Sequence, residues 1–366
     1  MQQRMRLLRR RHDHKFHRLP VRMAALCLCM ICVLLAGCGR ARTEIILTTD
    51  FKDGEVFRIE KTSCYLPEIM VYLVNSENRY DEIFGEQIFA VPIGDHTVGD
   101  AYKETILARI AQIKVMNLLA KNYDLTLTKE EEALVEEAAD TYFQSLNADE
   151  VSLMNVNTAT IRQLYYEFAL ANKLYHTITE AVQPEISDDE ARAVSVKSIL
   201  IKTYSMTNSG TRIEFTQQQR DEALDRAMDA LAKIHAGTDF DIVAADYNED
   251  SESAYSFGRG VMPNAFEEAA FNLDNGEVSE IISTEYGYHI IMCTSSFDRD
   301  ETDANKAVIL KKRQQEEFNI IYDQYVQTLT SNLNKPLWDS ISYEKSPGVS
   351  TTSFFEVYDR YFLNKI

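Results

Sequence analysis

Phe257-Gly258-Arg259-Gly260-Val261-Met262 is followed by Phe266-Glu267-Glu268-Ala269-Ala270-Phe271 and, after the turn Asp274-Asn275-Gly276, by Thr284-Glu285-Tyr286-Gly287-Tyr288-His289-Ile290-Ile291. Glycines at the first stretch mark a turn into a short helix, and the turn at Asp274–Gly276 feeds two strands, Val278–Ser283 and Tyr288–Thr294. Upstream, Val194 to Ile201 alternates as a strand does. Thr216 with Gln219 caps a helix running to Ala236 and closed by Gly237, Phe240 to Tyr247 reads as a second short helix, and Asn248 to Pro263 is rich in turn residues. The order from Val194 to Thr294 is therefore strand, helix, helix, turn, helix, strand, strand.

The flanks of this module are helical. Ile106, Ile110, Ile113 and Ala120 share one face of a run ending near Tyr123. Thr128 with Glu131 is a capping box that opens a second helix to about Leu146. A third runs from Thr158 to Val182, with Ile161, Leu164, Phe168, Leu174 and Ile178 as core candidates, and stops before Pro184. Ser187 with Glu190 starts a short helix leading into the first strand. After the module the chain is helical again from Asp303 to Leu333, broken by Pro336, and the aromatic segment Phe354–Phe362 is expected to dock on the chain's own body. Residues 50–99 carry no readable period.

Of 366 residues, 45% are hydrophobic and 26% charged, enough for a sizeable core and unlike a disordered or polytopic membrane chain. There are 38 Lys and Arg against 57 Asp and Glu, for a net charge of −19. Eight of those basic residues and one of the acids lie within the first 37 positions, so the remainder holds 30 basic against 56 acidic side chains. Such an acidic body argues against nucleic acid as the partner. The basic leader precedes an apolar run of 13 residues, Met23 to Leu35, too short to span a bilayer comfortably and suited to the core of an export signal. Leu35-Ala36-Gly37-Cys38 resembles the bacterial lipobox, which implies cleavage before Cys38, lipidation of its sulfur and an extracytoplasmic, membrane-held location. Cys27, Cys29 and Cys32 would leave with the signal, and Cys64 and Cys293 remain as two thiols with no metal-site spacing.

The module resembles the parvulin family of peptidylprolyl isomerases. Joined to a lipobox and helical flanks, the chain is similar to the PrsA and SurA class of extracytoplasmic foldases. The resemblance implies an α+β fold in which a parvulin-like domain, a small antiparallel sheet with helices, is inserted between segments of a helical chaperone-like domain. The expected divisions are a signal peptide (1–37), a tether and an N-terminal segment not readable in detail (38–99), a helical domain (100–190), the parvulin-like domain (191–297), a C-terminal helix packing on the helical domain (298–340) and an aromatic-rich tail (341–366).

The resemblance also assigns the site. Met262, Phe266, Phe271 and Phe257 match substrate contacts around a proline pocket, His289 the histidine of the last strand, and Asp250 a central Cys or Asp. Two positions depart from the pattern: Ser198 stands where the family has its first-strand histidine, and Tyr286 where it has Ser or Thr. Rotation about an X–Pro amide meets a barrier of roughly 18–20 kcal/mol and needs no nucleophile; an apolar pocket and positioned polar groups suffice to stabilise the twisted amide. No cofactor is implied. The expected partners are unfolded or newly exported proline-containing polypeptides, and the membrane through the lipid on Cys38. Homodimer formation is not readable. The alternative is a non-catalytic holdase with a degenerate parvulin domain, since a serine cannot share protons as a histidine pair does. No Gly-x-Ser-x-Gly, His-Glu-x-x-His or phosphate loop supports another enzyme class.

Overall fold

The computed structural model of the chain describes residues 51–341 and 346–363. The expected signal segment 1–37, the lipidation residue Cys38 and the strand-like Ile45-Ile46-Leu47 lie outside the described residues. In chain order the main elements are β1 (Glu55–Ile59), β2 (Thr62–Tyr65), α1 (Leu66–Phe84), α2 (Val98–Asn122), α3 (Lys129–Ser145), α4 (Ala148–Met154), α5 (Thr158–Glu180), β3 (Ala193–Lys202), α6 (Gln217–His235), α7 (Phe240–Tyr247), β4 (Ala254–Gly258), α8 (Asn264–Asn272), β5 (Ile282–Thr284), β6 (Gly287–Ser295), α9 (Arg299–Val326), β7 (Ser331–Leu333) and α10 (Phe354–Phe362). The fold is α+β, with small antiparallel sheets among many helices. No helix among the described residues is long and apolar enough to cross a membrane. The described residues divide into two compact units, one made of those up to Leu174 with those from Asn319 onward, the other of residues 175–318. The second is an insertion in the first: α5 carries the chain into it and α9 carries it out.

In the first unit β7, β1 and β2 form an antiparallel sheet in that order. The helices start where side chains satisfy their first amides: Thr97, Thr128 and Asn147 each accept from the third residue of the helix that follows. Phe354, fully buried, is the centre of an aromatic cluster, stacked on Tyr165 at 4.5 Å and edge-on to Tyr142 at 5.2 Å. Its amide donates to Asn75 Oδ1 at 3.1 Å, and Tyr165 donates to its carbonyl at 2.7 Å. The preceding turn is held by Glu150, whose carboxylate accepts the amides of Ser350 and Thr351 at 2.9 and 2.8 Å. Lys114, fully buried, bonds Glu68 and, at 2.8 Å, Glu167. Burial pushes Glu68 up, whereas the two carboxylates together outweigh burial and raise Lys114.

In the second unit one four-stranded sheet has the order β4-β3-β6-β5, every neighbour antiparallel. Side chains alternate across it. Val194, Val196, Ile291 and Cys293 face one way and pack with Phe257 and with Phe266, Ala270 and Phe271 of α8. Ile199 and Ile290 face the other way, against Ala230 and Leu231 of α6 and Phe240 and Val243 of α7. Within the same unit Tyr175 rests edge-on against Phe318 at 4.9 Å and donates to Gln315 at 2.8 Å.

Several elements differ from the sequence expectation. The turn-rich Asn248–Pro263 contains β4, whose Tyr255 and Phe257 pair with Val196 and Val194 of β3. The expected strand Val278–Ser283 is only Ile282–Thr284, because Ser279 breaks the ladder: its hydroxyl accepts the amide of Ile291 at 3.0 Å. The last long helix ends at Val326, not near Leu333, and residues 331–333 instead pair with β1. Helix α4 had no expectation, although Asn147 with Glu150 is a capping box.

Replacing Phe354 by alanine should cost about 3–5 kcal/mol, the usual penalty for a large aromatic cavity. Faster amide exchange in α1 and α3, measured by hydrogen exchange, is the expected sign; exchange unchanged there refutes the central place given to this ring.

Candidate functional site

The face of β3 and β6 that carries Val194, Val196, Ile291 and Cys293 continues to Ser198, Leu200 and His289. His289 pairs with Leu200 and Ser198 with Ile291, which makes Ser198 and His289 diagonal neighbours across the two strands, about 7–8 Å apart by sheet geometry. Both are buried, with 2% of Ser198 and 7% of His289 exposed. The Ser198 amide donates to Ser253 at 2.8 Å, tying the loop after α7 to β3.

His289 has three defined neighbours. Its Nε2 lies 2.8 Å from Thr284 Oγ1, in a hydrogen bond whose direction follows the imidazole tautomer. Phe266 of α8 meets the ring edge-on at 5.2 Å and 79°. Asp250 exerts a charge effect on it. The other ring nitrogen, Nδ1, is buried without a hydrogen-bond partner. A buried polar atom left unpaired is costly and marks a place where a ligand can complete the bonding. Burial lowers the His289 pKa to about 4 from the usual 6.5, with Asp250 opposing the shift, so the ring is neutral at pH 7.

Asp250 sits in the loop between α7 and β4 and is held on both oxygens: Oδ1 accepts the Ser251 amide at 2.8 Å and Oδ2 accepts the Tyr255 hydroxyl at 2.7 Å. Burial, then this bond, raises Tyr255, which therefore remains a donor. Asn248 anchors the loop by accepting the Leu200 amide at 2.9 Å.

The apolar residues lie on the same side of the sheet. Phe266 has centroid distances of 5.9 Å to Phe257 and 6.4 Å to Tyr255, and Phe257 lies 6.1 Å from Phe271. Phe257, Phe266 and Phe271 are buried, whereas Met262 packs against them only partly covered, at the surface end of the cluster. Arg259 stands over the Phe271 ring at 4.2 Å.

His289, Asp250 and Phe266 are thus brought together, with Ser198 on the same face. Tyr286 is placed differently, in the turn between β5 and β6 with its side chain exposed; its amide donates to Thr284 Oγ1 at 3.1 Å. The hydroxyl on the histidine belongs to Thr284, five residues before it, which sequence reasoning missed. Its signal is the tight turn Thr284-Glu285-Tyr286-Gly287, which pairs Thr284 with Gly287 and folds the threonine back beside the following strand. Gly287 is required there, since a Cβ would collide with the Ile201 carbonyl oxygen and its φ is +140°. Among the described residues no group of three or more His, Cys, Asp or Glu is arranged to hold a metal ion.

Comparison with known families bears on this arrangement directly. Residues 199–295 match the rotamase model, a PPIC-type PPIase domain. They form a parvulin-type isomerase domain. The chain is 27% identical over 241 residues to the foldase protein PrsA 4 of Bacillus cereus, covering 64% of this chain and 76% of that one. A shorter stretch of 74 residues is 45% identical to the foldase protein PrsA of Geobacillus kaustophilus, covering 19% of this chain and 26% of that one. Among solved structures, the peptidylprolyl isomerase PrsA from Bacillus cereus covers 87% of this chain and 99% of its own, with 18% identity and a TM-score of 0.34. The parvulin-type domain therefore sits in a chain that is PrsA-like in sequence beyond the domain itself.

Because the folded ring binds a proton only below about pH 4 and an unfolded histidine near 6.5, unfolding takes up a proton between those values. The stability contributed by the neutral ring is complete above about pH 6.5 and is lost as pH falls to about 4, on the order of 3 kcal/mol in all. Histidine proton NMR, assigned with His289→Gln, should show this ring titrating near pH 4; titration near 6.5 would contradict its burial.

Proposed function

We propose that the parvulin-type domain catalyses cis/trans isomerisation of X–Pro bonds in polypeptide chains, and that the protein is a foldase acting on unfolded, proline-containing clients. One observation carries this reading: a neutral, buried histidine with an unpartnered Nδ1 stands against Phe266, beside the partly covered Met262. A proline ring is apolar and its amide is polar, so the two parts of the substrate find their complements side by side. Ground-state resonance opposes rotation. A site that prefers the twisted amide lowers the barrier without forming a bond. In this reading Met262 and Phe266 receive the ring, His289 offers its free nitrogen to the amide, Thr284 and Asp250 fix the polar surroundings, and Ser198 supplies a small hydroxyl on the same face.

The finer location follows from sequence alone. The apolar run Met23–Leu35 and Leu35-Ala36-Gly37-Cys38 support export and a lipid on Cys38, with the acidic body outside the cytoplasmic membrane. Metabolic labelling with a fatty acid should mark the wild-type chain and leave Cys38→Ala unlabelled; label retained by Cys38→Ala rejects the anchor.

A second reading rests on Ser198, which stands where the resemblance calls for a histidine. With one histidine instead of a pair, the same site would hold prolyl segments without accelerating rotation. A protease-coupled assay on a proline tetrapeptide separates the two. Catalysis predicts a rate above background that falls at least tenfold in His289→Ala and clearly in Asp250→Ala. A wild-type rate equal to background, together with suppressed aggregation of a client that lacks proline, assigns holding instead.

A further inference from the structure

The turn that places Thr284 on His289 is held from outside by one side chain. Thr284, Glu285, Tyr286 and Gly287 connect β5 to β6, and two groups reach their outward carbonyls. The Thr203 amide donates to the Tyr286 carbonyl at 3.3 Å, and the Arg212 guanidinium donates to the Glu285 carbonyl. Arg212 belongs to a small hairpin, Tyr204–Met206 paired with Arg212–Glu214, that directly follows β3. There it lies over the Tyr204 ring at 4.0 Å and donates to Glu214 at 2.6 Å. The hairpin is itself tied back to β3 through the Phe215 amide, which donates to the Thr203 carbonyl at 2.9 Å. Thr203 therefore receives the hairpin with its carbonyl and holds the turn with its amide.

We propose that Arg212 is a positioning residue for the isomerase site: by clasping the Glu285 carbonyl it holds the turn that keeps the Thr284 hydroxyl on His289. The assignment deepens the isomerase reading and rests on it. The physical reasoning is geometric. A two-residue connection between strands has few internal bonds, and the Thr284 hydroxyl, which accepts the Tyr286 amide, keeps its aim only while that connection keeps its shape. Arg212 arrives pre-oriented, its planar head fixed by a ring on one side and a carboxylate on the other, so little conformational freedom is lost in gripping the carbonyl. Lysine retains a donor but not the planar stacking. The hydrogen bonds and ring contact of Arg212 go to Glu214, Glu285 and Tyr204, so it acts through the turn.

Two readouts on the full-length chain test the proposal. The first is histidine NMR. Loosening the turn lets water reach the imidazole, so Arg212→Ala should raise the His289 midpoint by about half to one pH unit, with Asp250 as its charged neighbour unchanged. Arg212→Lys should lie between the two. The second is kinetic. Arg212→Ala should lower kcat about fivefold with KM within about twofold, and should have no further effect in a Thr284→Val background, since both changes remove the same bond. A His289 midpoint unmoved in Arg212→Ala, or a full additional loss in the double variant, overturns the assignment. If the wild-type chain proves inactive, the isomerase reading fails, and the NMR arm still decides whether Arg212 holds the Thr284–His289 contact.

Discussion

The antiparallel pairing of β3 with β6, in one register from Gly287 to Cys293, is the constraint on which the second unit depends. Opposite Leu200 stands His289, opposite Ser198 stands Ile291, and opposite Val196 stands Cys293. Because strand side chains alternate with a period of two, this register sends the apolar residues that bind α8 and the polar residues of the site to the same face. A slip of one residue in β6 would turn His289 toward α6 and α7 and take Ile291 and Cys293 away from α8. The hydrophobic reason for the register has nothing to do with the site, yet the polar pair inherits its placement from it.

In the helical unit several buried polar groups are bonded in sets: Lys114 has two carboxylates, Asn75 bonds to the main chain and to Tyr142, and Glu150 accepts three amides. Removing a single member from such a set would leave its partners unpaired in a poorly solvated interior. In the parvulin-type unit the site histidine is satisfied on one nitrogen and left open on the other. A structural histidine would be expected to close both valences. An open nitrogen on a buried ring that stands against Phe266 is what a binding site can use.

Much of this was legible in the residues. Capping boxes at Thr128 and Thr216 located helix starts because the cap is a local bond between residues three apart. Alternation in Val194–Ile201 located the central strand for a similar reason. What stayed hidden depends on partners distant in sequence. Residues 331–333 are a strand only because β1 offers them an edge, and Ser279 interrupts its strand only because Ile291 lies across from it. In the site, His289, Asp250 and Phe266 were reached through the resemblance, whereas Thr284 required knowing how tightly the turn before Gly287 folds. The N-terminal stretch showed no period because its elements are short strands ahead of a helix opened by Tyr65, a residue with no customary capping signature.

Phe354 lies at the centre of the first unit and near the end of the chain, and that position orders events in time. Its ring fills the space among Tyr72, Tyr142 and Tyr165, residues made much earlier. At roughly 5–20 residues per second, the ribosome needs on the order of ten seconds or more to travel from Tyr165 to Phe354. Within that interval the inserted unit is made in full, and once Phe318 has been added it can fold, while the helical unit that precedes it waits with its aromatic centre empty. The protein's first-made half is thus its last to close.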